Sequence, residues 1–260
     1  MNTKFLILFF LITYTSNLFS QDKEPLVTDR PDATESSVTV GDGTLQIETG
    51  FIFEDYTSSS IDYTQQDFHI ATTLFRYGIG TDFELRLHGK VQSRIIESYN
   101  NTEIYSGLNN VSVGMKYQFY GSTDGETNGA VLATAILPVG SSEFTSSSIE
   151  PALLIALSED LSELFSIGTN FGGIYLSDES ELVYLYSLAL GIGISEKVGG
   201  FVELFGGVRS SISPENFLDG GFTYLVDSDI QFDISAGTRI FFEDTNWFVN
   251  SGVSIRFQGN

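Results

Sequence analysis

From Gly43 to its last residues, the chain repeats stretches of about ten residues in which apolar and polar side chains alternate. The first stretch shows the pattern clearly, with Leu45, Ile47, Phe51 and Phe53 set against Gln46, Glu48 and Glu54. Because successive side chains of a β-strand point to opposite faces, each stretch predicts a strand with one apolar face and one polar face. The pattern leaves two architectures open, a membrane β-barrel and a soluble sandwich of two sheets.

The alternating stretches predict about twelve strands, each long enough to cross an outer membrane as part of a barrel. Beyond the first strand, they cover residues 64–77, 82–94, 108–120, 130–138, 149–158, 163–175, 182–194, 199–209, 216–226, 230–241 and 246–257. In the second strand, strict alternation places Leu74 on the outward face and His69 on the inward face. An even strand number predicts both chain ends on the periplasmic side, with outer loops at 57–63, 98–106, 139–148, 176–181, 210–215 and 243–245.

Three features of the strands favour the membrane barrel over the sandwich. Full charges stand in mid-strand on the non-apolar face, where a wet lumen accepts them and a dry core does not (Arg86, Lys90, Lys116, Glu203, Asp233 and Arg256). Aromatic residues gather at strand ends, as they do where barrels meet the membrane surface. The last strand ends on Phe257, which is similar to the C-terminal signal read by the barrel-assembly machinery of the outer membrane.

Residues 1–20 have the pattern of a secretory signal peptide. Lys4 precedes an apolar run at 5–12, which is too short to span a bilayer as a helix but suits the core of a signal sequence. We expect cleavage near Ser20, followed by a polar N-terminal segment at 21–42 and an outer-membrane barrel at 43–258. The alternative is an N-terminal anchor that the mature protein keeps.

The chain carries 34 acidic and 12 basic residues, a formal charge of −22 at pH 7. Such a surface repels phosphates, so we expect no nucleic-acid partner. The absence of cysteine excludes a disulfide framework and a cysteine-linked lipid anchor. Zinc-binding patterns and phosphate-binding glycine-rich loops do not occur, so no metal and no cofactor is predicted. The expected partners are outer-membrane lipid, lipopolysaccharide and the barrel-assembly machinery, with a small solute as the transported molecule.

Several short motifs resemble those of one known family. In chain order they include Thr28-Asp29-Arg30-Pro31-Asp32, Thr34-Glu35-Ser36, Arg76-Tyr77-Gly78-Ile79, Leu137-Pro138-Val139-Gly140 and Asp219-Gly220-Gly221-Phe222. In these motifs the chain resembles the outer-membrane transporter family named after the MetA pathway of phenol degradation. The resemblance implies an outer-membrane β-barrel with a transport role in the degradation of aromatic compounds, and it brings no catalytic residues.

The segment before the first strand holds the most specific candidate for a functional element. Asp29, Arg30 and Asp32 stand together around one proline, and Glu35 follows shortly after them. One interpretation places this segment inside the barrel as a plug, because charges in a confined lumen need partners of opposite sign. The alternative is a periplasmic leader or a signal for assembly.

The inward face of the predicted barrel offers partners for such a plug. We expect Arg30 to face carboxylates, and Asp29 and Asp32 to face lysines. The lumenal candidates on the strands are Glu48, Arg86, His88, Lys90, Lys116, Glu203, Asp233 and Arg256. Across from this charged wall, the strands at 149–194 place glycine, alanine and serine inward. These small residues form either a permeation path or a space for the N-terminal segment.

Neither histidine points to an enzyme. His69 and His88 both face inward by alternation, but no serine stands in the sharp turn that a nucleophile needs. Two histidines are also too few for a metal site. Polar contacts within the lumen are therefore the preferred interpretation, and we expect no catalytic activity.

Together these observations predict an outer-membrane barrel of about twelve strands, through which small, aromatic or apolar molecules diffuse. The alternative is a structural or partner-binding barrel whose closed lumen transports nothing. A lumen continuous enough to pass water favours the channel, whereas a plugged lumen favours the structural barrel.

Overall fold

The computed structural model describes residues 24–122, 126–241 and 243–259. The predicted signal peptide at 1–20 and its cleavage site near Ser20 lie outside the described residues. The described ranges contain no helix of the length and apolarity that a membrane crossing requires.

The regular structure in these ranges consists of strands. Their bounds are β1 (Thr44–Thr57), β2 (Tyr63–Ile79), β3 (Phe83–Ser98), β4 (Asn101–Leu108), β5 (Val111–Tyr120), β6 (Thr127–Leu137), β7 (Glu150–Asp160), β8 (Phe165–Leu176), β9 (Glu181–Ser195), β10 (Val198–Val208), β11 (Glu215–Asp227), β12 (Ile230–Ile240) and β13 (Thr245–Gln258).

The strands close into one antiparallel ring. β1 pairs with β2 on one side and with β13 on the other, and the β1–β13 ladder runs without a register shift from Thr44 opposite Gln258 to Thr57 opposite Thr245. The ring has twelve members, because β4 continues the line of β5 and both of them pair with β3. The predicted up-and-down barrel of about twelve strands is thus confirmed.

β4 lies in a range, 98–106, that the alternation pattern assigned to an outer loop. β3 continues to Ser98, which pairs with Asn101 across a tight turn containing Tyr99 at a φ of 51°. The sequence that follows includes Ile104 and Tyr105, residue types that favour an extended, pleated backbone. Most of this range therefore belongs to β4, the second strand of a hairpin with β3. The strand breaks at residues 109 and 110, and β5 then continues along β3.

The ring is apolar outside and polar inside. Leucine, isoleucine, valine and aromatic side chains are exposed on its outer surface. The largest fully buried side chains are instead charged or polar, namely Arg76, Lys116, Gln46, Gln92, Glu48, Glu84 and Glu203. An outward apolar band suits contact with lipid, and a polar interior is typical of transmembrane barrels.

A β-bulge in β2 shifts the inward face by one residue. Asp67 is buried inside the ring before the bulge and Arg76 after it, and Ala71 between them has a φ of 51°. A bulge inserts one extra residue on one strand, so the side chains beyond it exchange faces. The outward assignment of Leu74 is therefore wrong, since Leu74 lies beyond the bulge and lines the lumen.

The two ends of the ring differ in their connections. One end, called the turn end, carries residues 24 and 259 and the short turns that follow β2, β9 and β11. The other, called the loop end, carries connections such as residues 138–149 between β6 and β7. Phe144 of that connection is buried, and the guanidinium of Arg94 on β3 lies 5.6 Å from its ring centre. The connection thus packs onto the inner side of the wall at the loop end.

Candidate functional site: the lumenal segment

Residues 24–42, called here the lumenal segment, lie inside the ring. The segment enters at the turn end, where Arg256 donates a hydrogen bond to the carbonyl of Glu24 at 2.6 Å. It returns to the same end, where Asp42 accepts a hydrogen bond from the backbone N–H of Gly80 at 2.7 Å. Between these points it forms neither strand nor helix. Its buried polar groups therefore need partners from the wall of the barrel.

The carboxylate of Asp29 is the centre of the contacts between segment and wall. It lies 2.6 Å from Arg86 Nη1, 3.2 Å from Lys116 Nζ and 3.3 Å from Arg76 Nε. The backbone N–H of Asp29 donates to Glu48 at 3.0 Å. All of these side chains are buried, and buried charges are tolerated only when they are paired and hydrogen bonded.

Arg76 joins this cluster to two further carboxylates. Its guanidinium lies 2.8 Å from Glu48 and 2.9 Å from Glu84, and it donates to the carbonyls of Val27 and Val38 at 3.0 Å each. A planar fork of five N–H groups suits several acceptors at once. Strict alternation did not select Arg76 as a lumenal residue, because the bulge in β2 reverses the faces beyond it. An arginine on a seemingly lipid-facing position is the signal that would have revealed the bulge.

Arg30 fixes the tip of the segment to β12 and β13. Its guanidinium lies 3.0 Å from Asp233 Oδ1 and 2.6 Å from Asn250 Oδ1. The same group rests on Gly50 and Gly252, where a Cβ on either residue would overlap it. Glycine at these two positions therefore makes the approach of the guanidinium to the wall sterically allowed.

The opposite wall, with its small inward residues, receives the middle of the segment. Thr34 contacts Glu203 and lies 2.7 Å from the hydroxyl of Ser187. The backbone N–H of Glu35 donates to Asn170 at 2.6 Å. The small side chains of β8 and β9 thus leave space that the lumenal segment fills.

The structure brings most of the sequence-selected residues together. Residues that belong to the lumenal segment or contact it directly are Asp29, Arg30, Glu35, Glu48, Arg86, Lys116, Glu203, Asp233 and Arg256. His88 and Lys90 lie apart from these contacts and line a cavity on the loop side of the segment. Arg256 sits at the turn end, where it also pairs with Asp229 at 2.8 Å.

Asp32 does not make the expected contact with a lysine. Lys116 pairs with Asp29, and the charged groups that act most strongly on Asp32 are the carboxylates of Glu203 and Asp219. Between Asp29 and Asp32 the chain crosses from the wall that carries the cations to the wall formed by β10 and β11. Spacing along the sequence does not report this crossing, so two acidic residues three positions apart meet opposite environments.

The lumenal segment separates two cavities within the barrel. The cavity on its loop side has a volume of about 370 Å³ and is lined by both polar and apolar side chains, including Ile52, Phe205 and Phe248. The cavity on its turn side has a volume of about 270 Å³ and borders the small residues Gly168 and Ala189. Residues of the segment line both cavities, so the segment forms the partition between them.

Other polar contacts lie nearer the loop end. His69 Nε2 lies 3.2 Å from Glu54 Oε2, which places this histidine in a polar contact of the lumen. In the connection after β12, hydrogen bonds from Tyr56 and from the backbone of Ser59 lower the pKa of Asp244.

Among the residues that the structure describes, no group of three acidic, histidine or cysteine side chains is placed to hold a metal ion.

Three solved structures show which fold this is. The COG4313 outer membrane channel from Pseudomonas putida F1 matches with a TM-score of 0.65 at 11% identity, over 93% of this chain and 100% of that one. The KdgM porin in complex with disordered oligogalacturonate matches with a TM-score of 0.54 at 10% identity, over 82% of this chain and 99% of that one. The translocator domain of autotransporter NalP from Neisseria meningitidis matches with a TM-score of 0.52 at 11% identity, over 84% of this chain and 89% of that one. At such identities these similarities establish a shared fold, the outer-membrane β-barrel.

Sequence comparison identifies the family. No curated protein matches the chain. The profile of the family described as "Putative MetA-pathway of phenol degradation" matches residues 28–257, from the lumenal segment to the last strand of the ring. The chain therefore belongs to this phenol-degradation family, as the resemblance in its motifs predicted.

Proposed function

We propose that the protein is an outer-membrane channel for small solutes whose lumen is closed by the lumenal segment. The observation that carries this proposal is the position of residues 24–42, which divide the lumen into two cavities and are held by both walls of the barrel. Removing that partition would join the two cavities into one path. The plug interpretation of the sequence is thus preferred here over the leader interpretation.

The class of solute follows from the family and from the cavity. The family description names phenol degradation, and a protein of the same fold is named as an outer membrane channel. The cavity of about 370 Å³ on the loop side holds a molecule of one or two rings, and it offers apolar contacts from Ile52, Leu74 and Phe248. We infer that small aromatic or partly apolar molecules enter from the loop end.

Conductance in planar bilayers tests this function. The purified mature protein is compared with a variant lacking residues 21–42, and with a variant in which residues 24–42 are replaced by a glycine-serine linker of equal length. Both variants are expected to conduct more than the intact protein, since both lose the anchors of the partition. Equal, low conductance of all three proteins would overturn the channel proposal.

A plugged lumen is the feature expected of a structural barrel, so the buried contacts of the lumenal segment also favour this second candidate. A barrel whose partition is held by Asp29 and Arg30 on separate walls can remain closed permanently and serve a structural or partner-binding role. In that case both variants without the native segment will lose stability without gaining conductance. Heat-modified gel mobility, recorded on the same samples, separates the two functions.

The proposal also covers the partners of the protein, the way solutes cross it and its route to the outer membrane. Outer-membrane lipid, lipopolysaccharide and the barrel-assembly machinery are the proposed partners, because an outward apolar band and a terminal aromatic strand suit them. Passive permeation is proposed rather than catalysis, since the similar structures above are named as a channel, a porin and a translocator domain. Export by a signal peptide cleaved near Ser20 completes the proposed route to the outer membrane.

A further inference from the structure

Three carboxyl groups meet where the lumenal segment touches β10 and β11. Glu203 and Asp219 are directly opposite each other on these strands, and both side chains point inward. The carboxyl group of Asp32, on the segment, lines the same cavity as Asp219, and Glu203 and Asp219 are the charged groups that act most strongly on it. Like charges placed directly opposite on neighbouring strands repel each other, and burial strengthens the repulsion.

The described residues supply no cation to this cluster. Arg30 pairs with Asp233, and the cations Arg76, Arg86 and Lys116 pair with other carboxylates on the far wall. No ion pair in the described ranges includes Asp32, Glu203 or Asp219. The cluster therefore differs from the other lumenal carboxylates, which nearly all face an arginine, a lysine or a histidine.

One oxygen of the cluster is unpartnered. Glu203 accepts a hydrogen bond from the backbone N–H of Ala33 at 2.7 Å and contacts the hydroxyl of Thr34 with its other oxygen. Asp219 is only 5% exposed, its carboxyl group lies against that of Glu203, and its Oδ1 meets no hydrogen-bond donor among the described residues. Asp219 lines the cavity on the loop side of the segment, so its carboxyl group borders any molecule that occupies the cavity. A buried carboxylate oxygen without a partner is unfavourable unless a ligand completes it.

An aromatic wall stands beside the cluster in the same cavity. Phe205 and Phe248 both line the cavity, with ring centres 6.3 Å apart, and Phe217 stacks behind Phe205 at 5.3 Å. The faces of such rings attract cations as well as apolar groups. Carboxylates and aromatic faces together are the surroundings that organic ammonium groups prefer.

We propose that this cavity binds small organic cations, with the ammonium group at Asp219 and Asp32 and the apolar body against Phe205 and Phe248. The inference rests on the proposed channel function and narrows its substrate class to amphiphilic cations such as aromatic amines. Glu203 acts as a positioning residue, because one of its oxygens accepts a hydrogen bond from the backbone N–H of Ala33 and thereby keeps Asp32 at the cavity.

Lys90, His88 and Arg30 lie on the same cavity and would favour the opposite charge. The charge of Arg30 is paired with Asp233. Two carboxylates, Glu54 and Asp67, act on Lys90 and offset its charge. Within the described ranges, neither Asp32 nor Asp219 belongs to an ion pair. Charge in the cavity therefore favours a cationic ligand over an anionic one.

Binding of three probes of similar size tests the proposal. Benzylammonium, benzyl alcohol and benzoate are titrated at pH 7.5 into the folded, detergent-solubilised protein by isothermal calorimetry, with micelles alone as the blank. Benzylammonium is expected to bind about tenfold more tightly than either other probe, as one charge-assisted hydrogen bond predicts. Asp219→Asn should remove this preference, whereas the control Asp62→Asn, in the exposed connection after β1, should keep it.

Two results would overturn the proposal. One is equal or tighter binding of benzoate. The other is an unchanged affinity for benzylammonium in Asp219→Asn, which would mean that protons rather than ligands neutralise the cluster. Heat-modified mobility of each variant establishes that the barrel is folded. If the variant lacking residues 21–42 conducts but no preference for benzylammonium appears, only this inference fails; if it does not conduct, the channel function fails.

Discussion

The guanidinium of Arg30 lies 3.0 Å from the carboxylate of Asp233, a residue 203 positions further along the chain. The side chain of Asp233 is fully buried and that of Arg30 is 12% exposed, so the pair is largely shielded from water. This contact connects the tip of the lumenal segment to the wall of the barrel. A pair of this kind contributes about 1.5–3 kcal/mol, enough to shift the ratio of closed to open lumen about tenfold or more.

Reversing the charge of Arg30 should open the lumen. Arg30→Glu places a carboxylate against Asp233, and the conductance of the variant in planar bilayers is expected to rise while the barrel stays folded. The double variant Arg30→Glu with Asp233→Arg restores an attractive pair and should return the conductance toward that of the intact protein. If the double variant conducts as much as the single one, the pair does not hold the segment in place.

A methyl group added at Gly252, on the wall of the barrel, should also raise the conductance. The three atoms nearest to a Cβ at Gly252 all belong to the guanidinium of Arg30, so Gly252→Ala displaces that side chain from Asp233. The matched control is Gly89→Ala, whose Cβ meets only a methyl group of Val111 at an ordinary distance of 3.8 Å. The conductance is expected to rise in Gly252→Ala and to stay unchanged in Gly89→Ala. The opposite order would contradict the role of Arg30.

Removing Arg76 should destabilise the protein rather than merely open it. Arg76→Met leaves Glu48 and Glu84 buried without this cation, a loss that costs about 3–5 kcal/mol in buried pairs. The control is Arg94→Met, for which a smaller loss is expected, because Arg94 is partly exposed and its partner Asp67 keeps hydrogen bonds from Gln65 and Gln92. Urea unfolding followed by gel mobility measures both variants. Equal midpoints would show that the buried cluster adds little to stability.

Neighbouring residues on β3 should respond differently to the same new charge. Leu87 is 45% exposed on the outer face, so Leu87→Arg places a charge in lipid at a cost of about 2–4 kcal/mol near the bilayer midplane. His88 lines the lumenal cavity, and His88→Arg adds a charge to a polar site. Assembly into the outer membrane, measured by fractionation and heat-modified mobility, is expected to fail for the first variant only. Similar assembly of both would argue against lipid contact at Leu87.

The alternation of side chains, together with the full charges in mid-strand, determined the architecture of this protein. One apolar face and one charged face per strand leave an outer-membrane barrel as the arrangement in which both faces are satisfied, and the ring of twelve strands follows that pattern. The same pattern identified Glu48, Arg86, Lys116 and Asp233 as inward residues, because it depends only on local backbone geometry.

The tertiary structure alone decided which charges meet. The bulge at Ala71 exchanged the faces of β2, which brought Leu74 and Arg76 into the lumen. Strict alternation does not locate such a bulge, and its trace in the sequence is a charge, Arg76, on the face that alternation assigns to lipid. Likewise, Asp29 pairs with cations and Asp32 lies near carboxylates because of where the segment crosses the lumen. Alternation fixes the direction of a side chain from its immediate neighbours, whereas its partner is set by the closure of strands distant in sequence.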